Sequence, residues 1–233
     1  MIIHPIKAFS DNYIWCIQAD TETVVVDPGE AGVVLDYLDE KQLRLTAILL
    51  THMHEDHTGG VREILASHPE CPVYGPNETK DLADQIVKPG DSFDLLDQTF
   101  HVYKSGGHTH GHISFLMGDH LFCGDALFSA GCGRVFTGDY EAQYETLQTF
   151  KHLDDETHVY AGHEYTETNL RFAKDRQPEN KKIANALEAV QKLRAQGQPT
   201  LPSTIGKERE INLFLQAETV EDFIELRTAR DDF

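Results

Sequence analysis

Residues 51–60 read Thr51-His52-Met53-His54-Glu55-Asp56-His57-Thr58-Gly59-Gly60, three imidazoles and two carboxylates within one decade. Neutral imidazole and carboxylate together suit divalent first-row metals such as zinc, iron or manganese. If the chain stays extended through this stretch, His52 and His54 point the same way, because strand side chains alternate with period two. Asp56 and His57 then fall past the strand end and can aim at a second point nearby. Three later segments offer the same donors more sparsely: Gly106-Gly107-His108-Thr109-His110-Gly111-His112, Phe122-Cys123-Gly124-Asp125 and Tyr160-Ala161-Gly162-His163-Glu164-Tyr165. A lone aspartate after a strand usually caps a turn, and a lone histidine is usually an ordinary polar group. Taken with the first cluster, they supply enough ligands for two ions.

Such donors need a scaffold that delivers them to one place. The apolar run Ala47-Ile48-Leu49-Leu50 predicts a buried strand leading into the first cluster. Val61–Ala66 has helical spacing behind a Gly-Gly opening. Strands are also expected over Tyr13–Ile17, Thr23–Val26, Pro72–Tyr74, Phe100–Tyr103, Ser114–Met117, Leu121–Cys123 and His158–Tyr160, and a helix over Val33–Leu38. Strands interleaved with helices argue for α/β layers, with ligands where strands end. From Thr166 the texture changes, and Thr166–Ala173, Lys181–Leu193 and Val220–Thr228 read as helices.

Charge divides the chain at the same place. The net charge is −19, from 20 basic and 39 acidic side chains. Residues 1–165 carry 9 basic and 27 acidic groups, whereas 166–233 carry 11 and 12. All 13 histidines lie in the first part. This predicts two units, 1–165 and 166–233. Nucleic acid is not expected as a partner, since phosphate binding needs a basic patch. No run approaches the ~20 apolar residues of a membrane span, and the N-terminus shows no signal-peptide pattern. Cys16, Cys71, Cys123 and Cys132 form no Cys-x-x-Cys pair, so a cytoplasmic protein without disulfides is expected.

The order Thr-His-x-His-x-Asp-His, Gly-His-Thr, Gly-Asp, Gly-His resembles the metallo-β-lactamase superfamily. Within it the chain is most similar to the glyoxalase II (hydroxyacylglutathione hydrolase) family. Phe9-Ser10-Asp11-Asn12-Tyr13-Ile14-Trp15, Gly131-Cys132-Gly133-Arg134, Gly162–Thr166 and Leu201-Pro202-Ser203-Thr204-Ile205 carry that likeness from end to end. The resemblance implies a four-layer αβ/βα sandwich of the α/β class, with a binuclear site at one edge of its two sheets. A C-terminal helical domain that binds substrate follows. One metal would be held by His52, His54, His108 and Asp125, the other by Asp56, His57, Asp125 and His163, with Asp125 bridging. Asp27 would orient ligands from behind, and His110 and His112 would bind no metal.

Two such cations can share a water and lower its pKa from ~16 toward ~7. The resulting hydroxide, placed against Asp56 and Asp125, would attack a thioester carbonyl. The implied reaction converts S-D-lactoylglutathione to D-lactate and glutathione, with zinc, iron or manganese as the metal and a monomer as the working form. Arg134 and Tyr165 match positions that contact the glutathione part. Phe136 stands where the family often has tyrosine, and Gln216 where it usually has arginine; Lys207 and Arg209 are candidates to compensate. A thioester of another thiol, a mononuclear-iron sulfur dioxygenase and a non-catalytic zinc protein are the alternative readings.

Overall fold

A computed structural model describes all residues, 1–233. The first half builds a six-stranded sheet from β1 (Ile2–Ala8), β2 (Asn12–Ala19), β3 (Glu22–Val26), β4 (Arg44–Leu49), β5 (Val73–Gly75) and β6 (Gln85–Ile86), in that spatial order. β1 to β3 are antiparallel neighbours, and β3 to β6 run parallel. The central strands are apolar on both faces, which a sheet covered on both sides requires. Tyr13, Trp15, Ile17, Val24, Val26, Ala47 and Leu49 face one core, and Ile14, Cys16, Val25, Ile48 and Leu50 face another. On the second side lie α1 (Ala31–Lys41) and, beyond the short α2 (Glu55–Thr58), α3 (Val61–Ser67), whose Val34, Leu38, Val61 and Ile64 fill it.

The other half repeats the plan in a second sheet. β7 (Ser92–Leu95), β8 (Gln98–Lys104), β9 (Ile113–Met117) and β10 (His120–Gly124) form an antiparallel meander. After a small hairpin of β11 (Leu127–Phe128) and β12 (Gly131–Cys132), β13 (His158–Ala161) joins β10 in parallel and β14 (Ser203–Thr204) closes the edge. Phe100, Phe115 and Phe122 meet the first sheet across the larger core. That core continues under α4 (Tyr140–Lys151), α5 (Thr166–Arg176), α6 (Lys181–Ala195), α7 (Ile205–Ile211), α8 (Leu213–Gln216) and α9 (Val220–Asp231), through Leu147, Phe150, Leu170, Phe172, Ile183, Phe214 and Phe223. The result is the expected α/β sandwich with a helical C-terminal region. No helix is long and apolar enough to cross a membrane.

One expectation needs correction. β4 ends at Leu49, so His52 lies in a bend and His54 in unpaired extended backbone rather than on a continued strand. His54 becomes the residue that precedes α2. α4 is absent from the periodicity reading because its buried face is half polar. Gln143 Nε2 donates to Ala126 O at 2.8 Å and Thr146 Oγ1 to Gly106 O at 3.0 Å. Those polar residues interrupt the apolar stripe while pinning the two loops that carry His108 and Asp125.

Candidate metal centre and active site

The two sheets converge at one edge, where the ends of four strands meet. Tyr13 N donates to Gly162 O at 2.8 Å, Gly162 N to Gly124 O at 2.9 Å and Ile113 N to Thr51 O at 2.9 Å. Two glycines permit this closeness. A Cβ on Gly162 would lie 2.6 Å from His57 Cε1 and 2.7 Å from Asp125 Oδ1. Gly124 turns at a φ of +48°, where a side chain would also strike Thr51 Oγ1. The pairs Gly124-Asp125 and Gly162-His163 are therefore single devices, a backbone without bulk followed by the donor it admits.

All seven candidate donors come together here. His52 Nε2 and His108 Nε2 lie 3.1 and 2.9 Å from His54 Nδ1. Beside them, His57 Nε2, His163 Nε2 and Asp56 Oδ2 are mutually 3.3–3.4 Å apart. Asp125 spans both groups, with Oδ2 at 3.4 Å from both His108 Nε2 and His163 Nε2 and Oδ1 at 3.2 Å from His57 Nε2. A tetrahedral ion with arms of 2.0–2.1 Å has ligand–ligand edges of about 3.4 Å. The groups thus have the spacing of ligand shells.

Protonation tells the same story, because the outward nitrogens hold the ring protons. Nδ1–H donates to Asp27 Oδ2 from His57 (3.0 Å), to Asp11 Oδ1 from His163 (2.9 Å) and to Arg134 O from His108 (2.8 Å). His52 Nδ1 donates to Thr51 Oγ1 at 3.0 Å, whose own hydroxyl donates to Asp27 Oδ2 at 2.7 Å. The inward nitrogens are left as bare lone pairs facing one another, an arrangement that only a cation or added protons relieve. Asp125 Oδ1 is buried without a hydrogen-bond donor. Burial opposes charge on His57 and His163, yet the Asp125 and Asp56 carboxylates outweigh it; His57 is held well above the usual range and His163 is pushed up to about 10. The site is built to hold positive charge.

Asp27 binds behind the ligands, accepting also from Thr51 N at 2.8 Å. His110 is exposed at the surface. His112 is buried; its Nδ1–H donates to Ser105 Oγ at 2.8 Å, and its Nε2 accepts from Asp125 N at 3.2 Å. Burial holds it neutral, as an acceptor requires. It positions Asp125 from behind, a role that its place in a His-rich turn does not disclose.

The centre opens into a cavity of about 660 Å³, within the range usual for small-ligand sites. Of the predicted substrate contacts, Arg134, Tyr165 and Phe136 line it. The Tyr165 ring stacks on His163 at 4.6 Å, and burial keeps its hydroxyl protonated. Phe136 is 63% exposed and stands edge-on to His54 and His108. Lys207 and Arg209 are corrected: neither reaches the cavity. Arg209 is consumed by Lys151 O, Leu153 O and Asp155. Gln216 faces another depression with Arg176 and Gln177, and its Nε2 donates to Arg209 O at 3.0 Å.

The basic groups instead come from α9, as Arg227 and Arg230, joined by Asn169 and Asp231. Their only sequence signal is a pair of arginines three apart on a helix. Asp11 and Asn12 were visible within the Phe9–Trp15 signature; Asn12 Nδ2 donates to Asp56 Oδ2 at 3.0 Å.

Comparison with known proteins matches residues 9–163 to the metallo-beta-lactamase superfamily and 164–233 to the hydroxyacylglutathione hydrolase C-terminus. The chain is 51% identical to a hydroxyacylglutathione hydrolase of Glaesserella parasuis and 50% identical to one of Haemophilus ducreyi, over 99% of each chain in both cases. Among solved structures it is similar to ETHE1 from Myxococcus xanthus, with a TM-score of 0.73 and 28% identity, covering 98% of this chain and 90% of that one. With the helical tail matched as well as the metal-binding sandwich, the chain belongs to the hydroxyacylglutathione hydrolase family of the metallo-beta-lactamase superfamily.

Proposed function

We propose that this protein hydrolyses S-(2-hydroxyacyl)glutathione thioesters, chiefly S-D-lactoylglutathione to D-lactate and glutathione. The observation that carries this is a seven-donor centre opening onto a cavity that is also lined by Arg134, Arg227 and Arg230. His52, His54, His108 and Asp125 would hold one divalent ion, and Asp56, His57, Asp125 and His163 the other. Zinc is the first candidate, and iron or manganese suit the same donors. Such ions supply a water acidic enough to ionise near neutral pH and positive charge against a developing oxyanion.

The chain's own residues do the rest. Asp27, Asp11 and the Arg134 carbonyl hold the Nδ1 protons of His57, His163 and His108, so that Nε2 is the nitrogen each ring turns inward as a metal donor. Phe128, buried, and Phe136, at the open side, give the cavity apolar surface beside the centre. Tyr165, held protonated, offers a hydroxyl to the thiol's peptide groups. The arginines take its carboxylates. A departing thiolate, of parent pKa near ~8.5, needs no strong general acid, and no serine or cysteine nucleophile is required. Cys123 is sealed in the core, its thiol held protonated by burial.

In this reading residues 1–165 supply the centre and, through Arg134, Phe136 and Tyr165, part of the substrate grip, which 166–233 complete with Arg227 and Arg230, and a monomer is the working form. All four cysteines are free and buried, which suits a reducing, cytoplasmic setting. The test is turnover of S-D-lactoylglutathione, followed by loss of thioester absorbance, alongside elemental analysis of reconstituted protein. Turnover with about two metal ions per chain is expected. A firm single ion would overturn the binuclear reading, and full loading without turnover would overturn the activity.

A further inference from the structure

The arginine wall contains one anion. Asp231, in the last turn of α9, lines the cavity between two of the three guanidiniums. Its Oδ1 accepts from Arg134 Nε at 3.1 Å and from Arg227 Nη2 at 2.9 Å. Those arginines differ in freedom. The Arg227 side chain is 6% exposed and also donates through Nη1 to Cys132 O at 2.8 Å, so it is a fixed post. The Arg134 side chain is 54% exposed, on the loop after β12, and Asp231 is its ion-pair partner.

A guanidinium held by Nε keeps both Nη groups free, and that end pair grips a carboxylate with two parallel hydrogen bonds. Arg227 also balances the charge on Asp231, so the three groups together keep one net positive charge for a ligand. We propose that Asp231 is a positioning residue, which anchors Arg134 to buried Arg227 and so aims its free end at the anionic thiol part of the substrate. The inference rests on the glutathione-thioester reading given above.

The test compares wild type, Asp231→Ala and Asp231→Asn. Calorimetric binding of S-hexylglutathione, a thioether that cannot be hydrolysed, should weaken about three- to ten-fold in Asp231→Ala, the cost of ordering one long side chain on binding. Asp231→Asn keeps an oxygen acceptor between the guanidiniums and should recover most of that loss. KM for S-D-lactoylglutathione should rise in parallel in Asp231→Ala, with kcat within about two-fold. KM for the lactoyl thioester of N-acetylcysteamine, which carries no charge, should not move.

Tighter binding in Asp231→Ala would overturn the proposal, because Asp231 would then compete with substrate for Arg134. Unchanged binding, or an equal loss on the uncharged thioester, would overturn it too. Wild type that binds the thioether yet hydrolyses no thioester would sink the functional reading alone, since the binding comparison stands apart from turnover.

Discussion

Asp125 reaches both halves of the centre, and its position is secured from three sides by Gly124, by the His112 ring and by Gly162. If one carboxylate serves both ions, Asp125→Ala should lose both metals and nearly all turnover, whereas His110→Ala, at an exposed position, should keep both. Elemental analysis of the two variants decides this; comparable loss in both would mean that the assignment within His108–His112 is wrong. At the substrate end, Arg134→Ala and Arg230→Ala should each raise KM about ten- to a hundred-fold, the value of a charge-assisted hydrogen bond of ~1.5–3 kcal/mol. Gln216→Arg should leave KM unchanged, because that side chain faces away from the cavity. A lowered KM in Gln216→Arg would move the thiol site toward α8. The seven donors are legible in the sequence because metal coordination restricts both residue type and spacing. Arg227 and Arg230 are not, since arginines three apart are what any solvated helix carries.

Elements were readable wherever burial imposes a period. The doubly apolar β2, β3 and β4 announce themselves, while β1 hides because Pro5 interrupts it, a residue that its place at the sheet edge tolerates. The joint between tail and sandwich was illegible because it is polar. Glu208 on α7 is fully buried and accepts from Ser129 Oγ (2.8 Å), Ala130 N (2.6 Å), Ser203 Oγ (2.5 Å) and Asn212 Nδ2 (3.1 Å), tying α7 to the β11–β12 hairpin at the cavity. Glu208→Ala leaves these donors unsatisfied and should cost about 3 kcal/mol or more. Burial pushes the Glu208 carboxyl above its usual range, although the donors pull the other way. Folding therefore favours its protonated form. Its contribution is whole below about pH 4.3 and declines as pH rises through the folded value. Urea midpoints of metal-stripped wild type and Glu208→Ala should differ more near pH ~4 than near pH ~7. A gap that widens with pH would mean that the four donors outweigh burial.

At the scale of the whole molecule, the centre is a staple between layers. Its donors follow β4 in the first sheet and β8, β10 and β13 in the second, so one cluster of charge joins the two halves of the sandwich. The division of charge between 1–165 and 166–233 is visible in composition, but this staple is not, because it depends on which strand ends meet. Without metal, the carboxylates of Asp125 and Asp56 are balanced by protons on His57 and His163. A histidine raised from an ordinary value near ~6.5 to about 10 stabilises the fold fully below ~6.5, and that contribution is lost as pH rises toward 10. Chelated protein should therefore lose stability between pH ~7 and pH ~9.5. Loaded protein should not, since metal replaces those protons and binds more tightly as its ligands deprotonate. The gap in melting temperature between loaded and chelated protein should accordingly widen with rising pH. A constant gap would show that the centre does not depend on protons when metal is withdrawn, and that the two sheets are held together at this edge by their backbone contacts alone.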